Sequence, residues 1–277
     1  MKIVKNKDTI VINEPADFNI IQTLNCGQIF RYMIDGERAV VYSLDKRAII
    51  YFNENEITIK SDDVDYFYNF FDLDTDYSYI TNELRKDTFL KSAVDFGYGI
   101  RIIKNDVYEM LISFIISSNN NIGRIKKSIE YLCSHFGKNM GEYFAFPTLQ
   151  ELKRASIADF RSAGLGYRAE QMYDTVQKLT DEDINKLKHM DKNSQFKFLL
   201  SLKGVGEKVA HCIMLFGLGV KDVFPVDTWI NKVYNKLTNT VVSDRKKITR
   251  ELTDRYKDLS GYAQQYFFYY FRDNKLK

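Results

Sequence analysis

Cysteine and proline are scarce in this chain, with three of each among 277 residues. Cys26, Cys133 and Cys212 lie far apart and form no Cys-x-x-Cys pair. Three scattered thiols exclude a four-cysteine zinc site or iron–sulfur cluster. They also make a reducing compartment the simplest context for the protein.

Long apolar runs, low-complexity segments and a cationic leader are also missing. No stretch approaches the roughly 18 consecutive apolar residues of a membrane-spanning helix. The net charge is only +3, so binding to nucleic acid would depend on where basic residues are placed and not on their excess. We expect a soluble intracellular protein of the cytoplasm or nucleoid, nuclear if the source is eukaryotic, with no membrane partner.

The first 60 residues are rich in short segments in which apolar and polar residues alternate, a pattern that predicts β-strands. Asp35-Gly36 is a typical two-residue hairpin turn, and connections this short require antiparallel pairing. A short helix over 18–24 is expected to present Cys26-Gly27-Gln28 as a loop. The predicted strands cover 9–13, 30–34, 38–42, 48–52 and 56–59.

Helical periodicity begins near Asp63 and continues to the C-terminus. The predicted fold is therefore α+β, with an N-terminal antiparallel sheet domain that includes flanking helices (1–103) packed on a larger helical domain (104–277). The predicted helices of the second domain cover 107–116, 122–136, 148–154, 156–163, 167–179, 196–202, 208–218, 227–237, 243–256 and 261–272.

The tetrapeptide Lys203-Gly204-Val205-Gly206 joins two of these helices and defines a helix-hairpin-helix over about 196–218. Two glycines around one small apolar residue allow a tight turn and a close approach of a partner. The free amide groups at the start of the second helix favour an anion, and a phosphate is a natural ligand there.

Lys208 and Asp227 are the candidate catalytic pair. Lys208 lies in the first turn of its helix, where the helix dipole disfavours the ammonium form, and Asp227 follows Pro225 at the start of another helix. Each alone is more simply explained, Lys208 as an exposed lysine and Asp227 as a helix cap. Together, an amine nucleophile and a carboxylate beside a phosphate-binding hairpin suit displacement at a sugar carbon through a Schiff base.

Seven segments resemble one known family. Leu202-Lys-Gly-Val-Gly-Glu-Lys-Val-Ala and Phe224-Pro-Val-Asp resemble the hairpin and aspartate loop of the helix-hairpin-helix (HhH-GPD) DNA glycosylase superfamily. The chain is similar, within it, to the 8-oxoguanine DNA glycosylase family, whose members are bifunctional glycosylases and abasic-site lyases. The further matching segments are Cys26-Gly-Gln-Ile-Phe-Arg, Ser117-Ser-Asn-Asn-Asn-Ile-Gly-Arg, Gly164-Leu-Gly-Tyr-Arg-Ala, Lys208-Val-Ala-His-Cys and Ala263-Gln-Gln-Tyr-Phe-Phe.

The resemblance implies a role for each matching residue that faces the damaged base. Lys208 would attack the sugar and Asp227 would stabilise the charge that develops there. The Gly27 carbonyl would accept the N7 hydrogen of the oxidised base, and Gln264 would bond to its edge. Cys212 and Phe268 would stack on its two faces, although both also occupy ordinary core positions.

The resemblance also implies contacts to the rest of a DNA duplex. Asn119 would fill the gap left by the extruded base, and Tyr167 would wedge into the stack. Arg124 and Arg168 would bond to the orphaned cytosine. Gly204, Val205 and Gly206 would bind phosphate, and the backbone carbonyls of the hairpin are candidate ligands for a monovalent cation. No other metal or cofactor is expected, and the protein is expected to act as a monomer on double-stranded DNA containing 8-oxoguanine.

Two departures from the family pattern affect the expected site. Trp229 stands where animal members have a phosphate-binding histidine, and His211 stands where they have an acidic residue. Two alternatives also stay open: a glycosylase of the same superfamily for alkylated purines or oxidised pyrimidines, and a non-catalytic hairpin protein that only binds DNA. Lys208 disfavours the alkylpurine type, and the lack of clustered cysteines disfavours the iron–sulfur type.

Overall fold

The N-terminal part of the computed structural model, which describes residues 1–274, is a six-stranded antiparallel sheet with the order β1-β2-β6-β5-β4-β3. The tight turn at Gly36 connects β3 to β4, where Asp35 pairs with Arg38 as its spacing predicts. The strands are β1 (Lys2–Lys5), β2 (Thr9–Asn13), β3 (Tyr32–Asp35), β4 (Arg38–Ser43), β5 (Lys46–Phe52) and β6 (Glu56–Lys60).

Helices account for most of the remaining chain. One short helix lies before β3, and fourteen follow β6 in the described part of the chain. They are α1 (Ile20–Asn25), α2 (Val64–Phe70), α3 (Tyr77–Leu84), α4 (Lys91–Phe96), α5 (Val107–Ser117), α6 (Ile122–Phe136), α7 (Leu149–Leu152), α8 (Ile157–Ser162), α9 (Arg168–Lys178), α10 (Asp181–His189), α11 (Lys192–Ser201), α12 (Glu207–Gly217), α13 (Thr228–Thr238), α14 (Arg245–Tyr256) and α15 (Ser260–Asp273).

Helix α5 lies at the centre of the helical part. The Asp106 side chain caps it by accepting a hydrogen bond from the Tyr108 amide at 2.8 Å, and the residues from Val107 to Ile116 are all buried. Helices α6, α9, α10 and α12 pack around it. Because α12 follows the hairpin, this packing fixes the hairpin on the most buried helix of the protein.

Buried polar contacts hold the sheet against the helices. The Glu109 carboxylate accepts a hydrogen bond from the Leu44 amide at 2.7 Å, and its burial raises the pKa of this carboxyl group. Arg31 donates hydrogen bonds to the carbonyls of Leu44 and Phe144, one on each side of the interface. These contacts fix the sheet, and the loop between α1 and β3, relative to the helical part.

The predicted α+β fold class is confirmed, whereas the division at residue 103 stays a prediction. Strand β1 was not predicted because most of it is exposed and carries lysines, which weakens the alternation. Helix α10 was not predicted because it buries only Leu187 and is otherwise polar or charged. No helix in the described part of the chain is long and apolar enough to cross a bilayer.

Candidate active site

The hairpin between α11 and α12 uses its two glycines differently. Gly204 has φ of +80°, and a Cβ there would lie 3.1 Å from Cγ2 of Ile115, so both conformation and packing require glycine. Gly206 has φ of −92°, and a Cβ there would meet nothing within 4 Å. The fold itself therefore does not need a glycine at Gly206, whose open surroundings leave the start of α12 accessible to a ligand.

Lys208 and Cys212 lie one turn apart on α12. The Nζ atom of Lys208 is 5.3 Å from the centre of the Phe114 ring. Burial raises the pKa of the Cys212 thiol, the Lys208 charge opposes this increase, and the Asp227 charge adds to it. The Cys212 side chain is therefore a neutral thiol at neutral pH, within electrostatic reach of both Lys208 and Asp227.

Asp227 caps α13, as the simpler interpretation of its sequence position expects. Its Oδ1 atom accepts a hydrogen bond from the Ile230 amide at 2.8 Å, while no donor in the described chain contacts Oδ2. Lys208 forms no ion pair with a carboxylate of residues 1–274, and the neighbouring Glu207 pairs instead with Lys246 at 2.9 Å. The amine and the carboxylate are thus held near Cys212 without neutralising each other directly.

Helices α12 and α15 meet where Leu215 packs against Gly261, since a Cβ on Gly261 would lie 2.4 Å from Cδ1 of Leu215. Cys212 lies one turn before Leu215, and Gln264 lies one turn after Gly261, on the facing side of α15. The Oε1 atom of Gln264 is buried and has no hydrogen-bond partner among the described residues. An unpaired buried amide costs about 1–3 kcal/mol, which is typical of a group that awaits a ligand.

Gly27 lies directly against the same helix, at Phe268. Its φ is +88°, and a Cβ there would lie only 2.9 Å from Cε1 of Phe268. The side chain of Gln265 donates a hydrogen bond of 2.7 Å to the Cys26 carbonyl, which anchors the loop on α15. The structure thus brings the loop after α1 to the helix that carries Gln264.

The three consecutive asparagines have separate positions and contacts. Asn120 donates to the Ile116 carbonyl, and the Asn121 side chain caps α6 by accepting from the Arg124 amide at 3.0 Å. Asn119 is exposed, has the left-handed φ of +47°, and its side chain has no partner in the described structure. Asn119 is therefore the one of the three whose side chain makes no hydrogen bond within the described structure.

Tyr167 and the two arginines lie beside this loop with different exposure. Arg124 is exposed, and Tyr167 is 58% exposed. Arg168 is buried, and its guanidinium donates to the carbonyls of Ser118, Leu165 and Asn119. These hydrogen bonds let Arg168 fix the asparagine loop, and its guanidinium carbon lies 4.7 Å from the centre of the Tyr167 ring.

Trp229 and His211, the two residues that depart from the family pattern, each contact a neighbouring side chain. Trp229 is 38% exposed on α13, and Lys232 lies 5.3 Å from its ring centre. His211 stacks on Phe196 with ring centres 4.8 Å apart, and burial lowers its pKa to about 4. His211 is therefore neutral at physiological pH and places no charge beside Cys212.

Gln265 and Arg272 are two residues near Gly27 that the sequence interpretation missed. Gln264, Phe268 and Arg272 recur at intervals of four along α15, so helical spacing alone would have placed Arg272 on the same face. Gln265 carries no comparable signal, because its partner is a carbonyl 239 positions away. No group of three or more His, Cys, Asp or Glu side chains in residues 1–274 could hold a metal ion.

Comparisons with known proteins agree with this architecture. The model of the 8-oxoguanine DNA glycosylase N-terminal domain matches residues 10–111, and that of the HhH-GPD superfamily base excision DNA repair protein matches residues 112–258. The crystal structure of Clostridium acetobutylicum 8-oxoguanine glycosylase/lyase, in complex with double-stranded DNA containing cytosine opposite to 8-oxoguanine, has a TM-score of 0.91 and 34% identity, covering 100% of this chain and 99% of that chain.

Two curated proteins that are similar in sequence to this chain are also described as DNA glycosylases and lyases. The N-glycosylase/DNA lyase of Saccharomyces cerevisiae is 37% identical over 58% of this chain, and the match spans only 47% of that protein. The probable N-glycosylase/DNA lyase of Methanothermobacter thermautotrophicus is 30% identical over 74% of this chain and 72% of that protein. The chain belongs to the 8-oxoguanine DNA glycosylase family of the HhH-GPD superfamily.

Proposed function

We propose that the protein removes 8-oxoguanine from double-stranded DNA and then nicks the strand at the abasic site. The observation that carries this proposal is the geometry around the hairpin. Gly206 leaves the start of α12 open, Lys208 follows in the first turn of that helix, and Asp227 caps α13 through one oxygen only. The relatives described as glycosylase and DNA lyase support the same activity. Lys208, which the monofunctional alkylpurine type lacks, favours the bifunctional reaction.

The proposed reaction begins with attack of the Lys208 amine on the sugar C1′. The bond from C1′ to the base nitrogen breaks, and the departing base takes the bonding electrons and the proton that the Lys208 nitrogen releases. Asp227 stabilises the positive charge that develops on the sugar. Opening of the sugar ring gives a Schiff base between Lys208 and C1′. Loss of a proton from C2′ then expels the 3′ phosphate, and hydrolysis of the Schiff base releases the enzyme.

Selection of the base would depend on the groups that meet around α15. The Gly27 carbonyl has no donor among the described residues, so it is available to accept the N7 hydrogen that guanine lacks. A guanine would leave this carbonyl unpaired, at a cost of about 1–3 kcal/mol. The unpaired Gln264 amide would bond to the base edge, while Cys212 and Phe268 cover its two faces.

Borohydride trapping on an 8-oxoguanine:cytosine duplex tests the mechanism. Wild-type protein should give a covalent adduct, Lys208→Gln should give none, and Lys186→Gln should keep it. Lys186 is a suitable control because it lies exposed on α10 in an ion pair with Glu182. A Lys208→Gln protein that still forms the adduct would exclude Lys208 as the nucleophile, and no adduct with wild type would refute the reaction itself.

A preference for cytosine opposite the lesion is a separate part of the proposal. It rests on the exposed Arg124 and Tyr167, and on Arg168, which would have to exchange one of its carbonyl partners to reach the cytosine. Excision should be fastest opposite cytosine, and Arg124→Ala should reduce that preference. Lys127→Ala removes the same charge from α6 and should keep it. Equal excision opposite all four bases would contradict the assignment.

Double-stranded DNA is the proposed partner, bound by a monomer through Asn119 and the hairpin. A monovalent cation on the hairpin carbonyls is also proposed. The Lys203 carbonyl accepts a hydrogen bond from Thr175 at 2.8 Å, and its second lone pair stays available for an ion. Affinity for an undamaged duplex should fall when potassium is replaced by choline at constant ionic strength, and an unchanged affinity would exclude the cation.

A further inference from the structure

Arg272 lies at the same place as Gly27 and Phe268, yet the proposed reaction gives it no role. A Cβ built on Gly27 would lie 3.4 Å from its Nη1 atom and 2.9 Å from Cε1 of Phe268. The guanidinium is 5.6 Å from the Phe268 ring centre and 5.2 Å from that of Tyr269. Arg272 and Phe268 therefore both border the space beside Gly27.

The hydrogen bonds of Arg272 are incomplete on this side. Its Nε atom donates to Asp273 at 2.6 Å, which fixes the direction of the guanidinium. Its Nη1 atom is buried and has no partner among the described residues. A guanidinium N–H left unpaired in a buried position is costly. Two turns earlier on the same face of α15, the Oε1 atom of Gln264 is also buried and unpaired, so this face carries both an unpaired donor and an unpaired acceptor.

The ligand chemistry follows from this pairing of groups. The Gly27 carbonyl is an acceptor, and Nη1 of Arg272 is a donor beside it. In 8-oxoguanine the N7 hydrogen is a donor, and the carbonyl oxygens O8 and O6 lie to either side of it. An edge that places a donor next to an acceptor is complementary to the Gly27 carbonyl and Arg272 together. Unmodified guanine has neither the N7 hydrogen nor O8.

We propose that Arg272 is a specificity-determining residue that donates a hydrogen bond to a carbonyl oxygen beside N7 of the extruded base. This inference rests on the proposed function of the same site. A hydrogen bond from a charged donor that is lost on substitution weakens binding by about tenfold or more. The effect should be confined to duplexes that contain the oxidised base. Unmodified guanine lacks O8, and without the N7 hydrogen it cannot pair with the Gly27 carbonyl and so bring O6 to Arg272.

The test compares Lys208→Gln, which the proposed function expects to bind without cleaving, with the double variants Lys208→Gln/Arg272→Met and Lys208→Gln/Arg272→Lys. Dissociation constants are measured for duplexes that contain 8-oxoguanine, guanine or a tetrahydrofuran abasic analogue. Methionine keeps an apolar chain beside Phe268 but removes the donor. It should weaken binding to 8-oxoguanine by about tenfold or more and leave the other two duplexes unchanged. Lysine should restore part of the loss.

The three duplexes separate the alternatives. Equal weakening on all of them would identify a phosphate contact or a structural role, and no weakening on any would show that Arg272 has no part in recognition. Either result overturns the proposal. If Lys208→Gln itself does not prefer 8-oxoguanine to guanine, the proposed function fails instead. A fourth duplex with 8-oxoadenine, which keeps O8 and lacks O6, identifies the oxygen: weakening indicates O8, and unchanged binding indicates O6.

Discussion

The two hairpin glycines provide the sharpest test of how this fold binds DNA. Replacing Gly206 by alanine adds a methyl group that contacts nothing within 4 Å and does not require a left-handed backbone. The main structural cost is a poorer residue at the helix cap, about 0.5–1 kcal/mol. Replacing Gly204 by alanine forces a side chain into φ of +80°, which costs about 1–2 kcal/mol before any clash.

The two variants should therefore separate stability from binding. At roughly 2–4 °C per kcal/mol for a chain of this size, Gly206→Ala should lower the Tm by about 1–4 °C, and Gly204→Ala by more. Gly206→Ala should still lose affinity for an undamaged duplex by about 10–100-fold. The new methyl group would stand between a phosphate and the amides of α12, and a lost hydrogen bond to a charged group costs about 1.5–3 kcal/mol.

Thermal unfolding and fluorescence anisotropy, both at one fixed salt concentration, measure the two effects. The salt must be fixed because phosphate contacts depend steeply on ionic strength. Binding of Gly206→Ala at wild-type affinity would refute phosphate approach at this position. A larger loss of stability for Gly206→Ala than for Gly204→Ala would refute the assignment of their structural roles.

Three further predictions concern buried polar groups. Burial raises the pKa of Cys212, so its alkylation by iodoacetamide should be slow at pH 7 and accelerate only as the pH is raised; fast alkylation at pH 7 would contradict a neutral thiol. Burial lowers the pKa of His211 to about 4, so the stability that neutral His211 contributes to the fold is fully present above its unfolded pKa of about 6.5 and is lost as the pH falls towards 4. His211→Phe keeps the stack on Phe196 and should make the Tm less dependent on pH between 6.5 and 4. An unchanged pH dependence of the Tm would show that His211 does not cause it. Gln265→Leu leaves the Cys26 carbonyl unpaired and should cost about 1–3 kcal/mol in denaturant unfolding while slowing excision; unchanged excision would show that this bond does not position the Gly27 loop.

The catalytic candidates were recognisable from sequence because their signals are local. Two glycines between helices, a lysine in the first turn and an aspartate after proline lie within 24 residues, from Gly204 to Asp227. Local rules of capping and backbone freedom act over this distance, so they predict the hairpin and the Asp227 cap correctly. The same rules made both glycines look equivalent, whereas only Gly204 packs against another helix.

The base-facing surface depended on contacts between distant parts of the chain. Nothing local joins Gly27 to Phe268, 241 positions away, and only the family resemblance brought them together before the structure did. The sequence by itself determined the fold class, the hairpin and the residue types available for chemistry, because short-range periodicity and turn preferences carry that information. Only the tertiary structure decided that Gln265 holds the Gly27 loop and that Nη1 of Arg272 is buried without a partner beside it, because burial and pairing arise when separate elements pack.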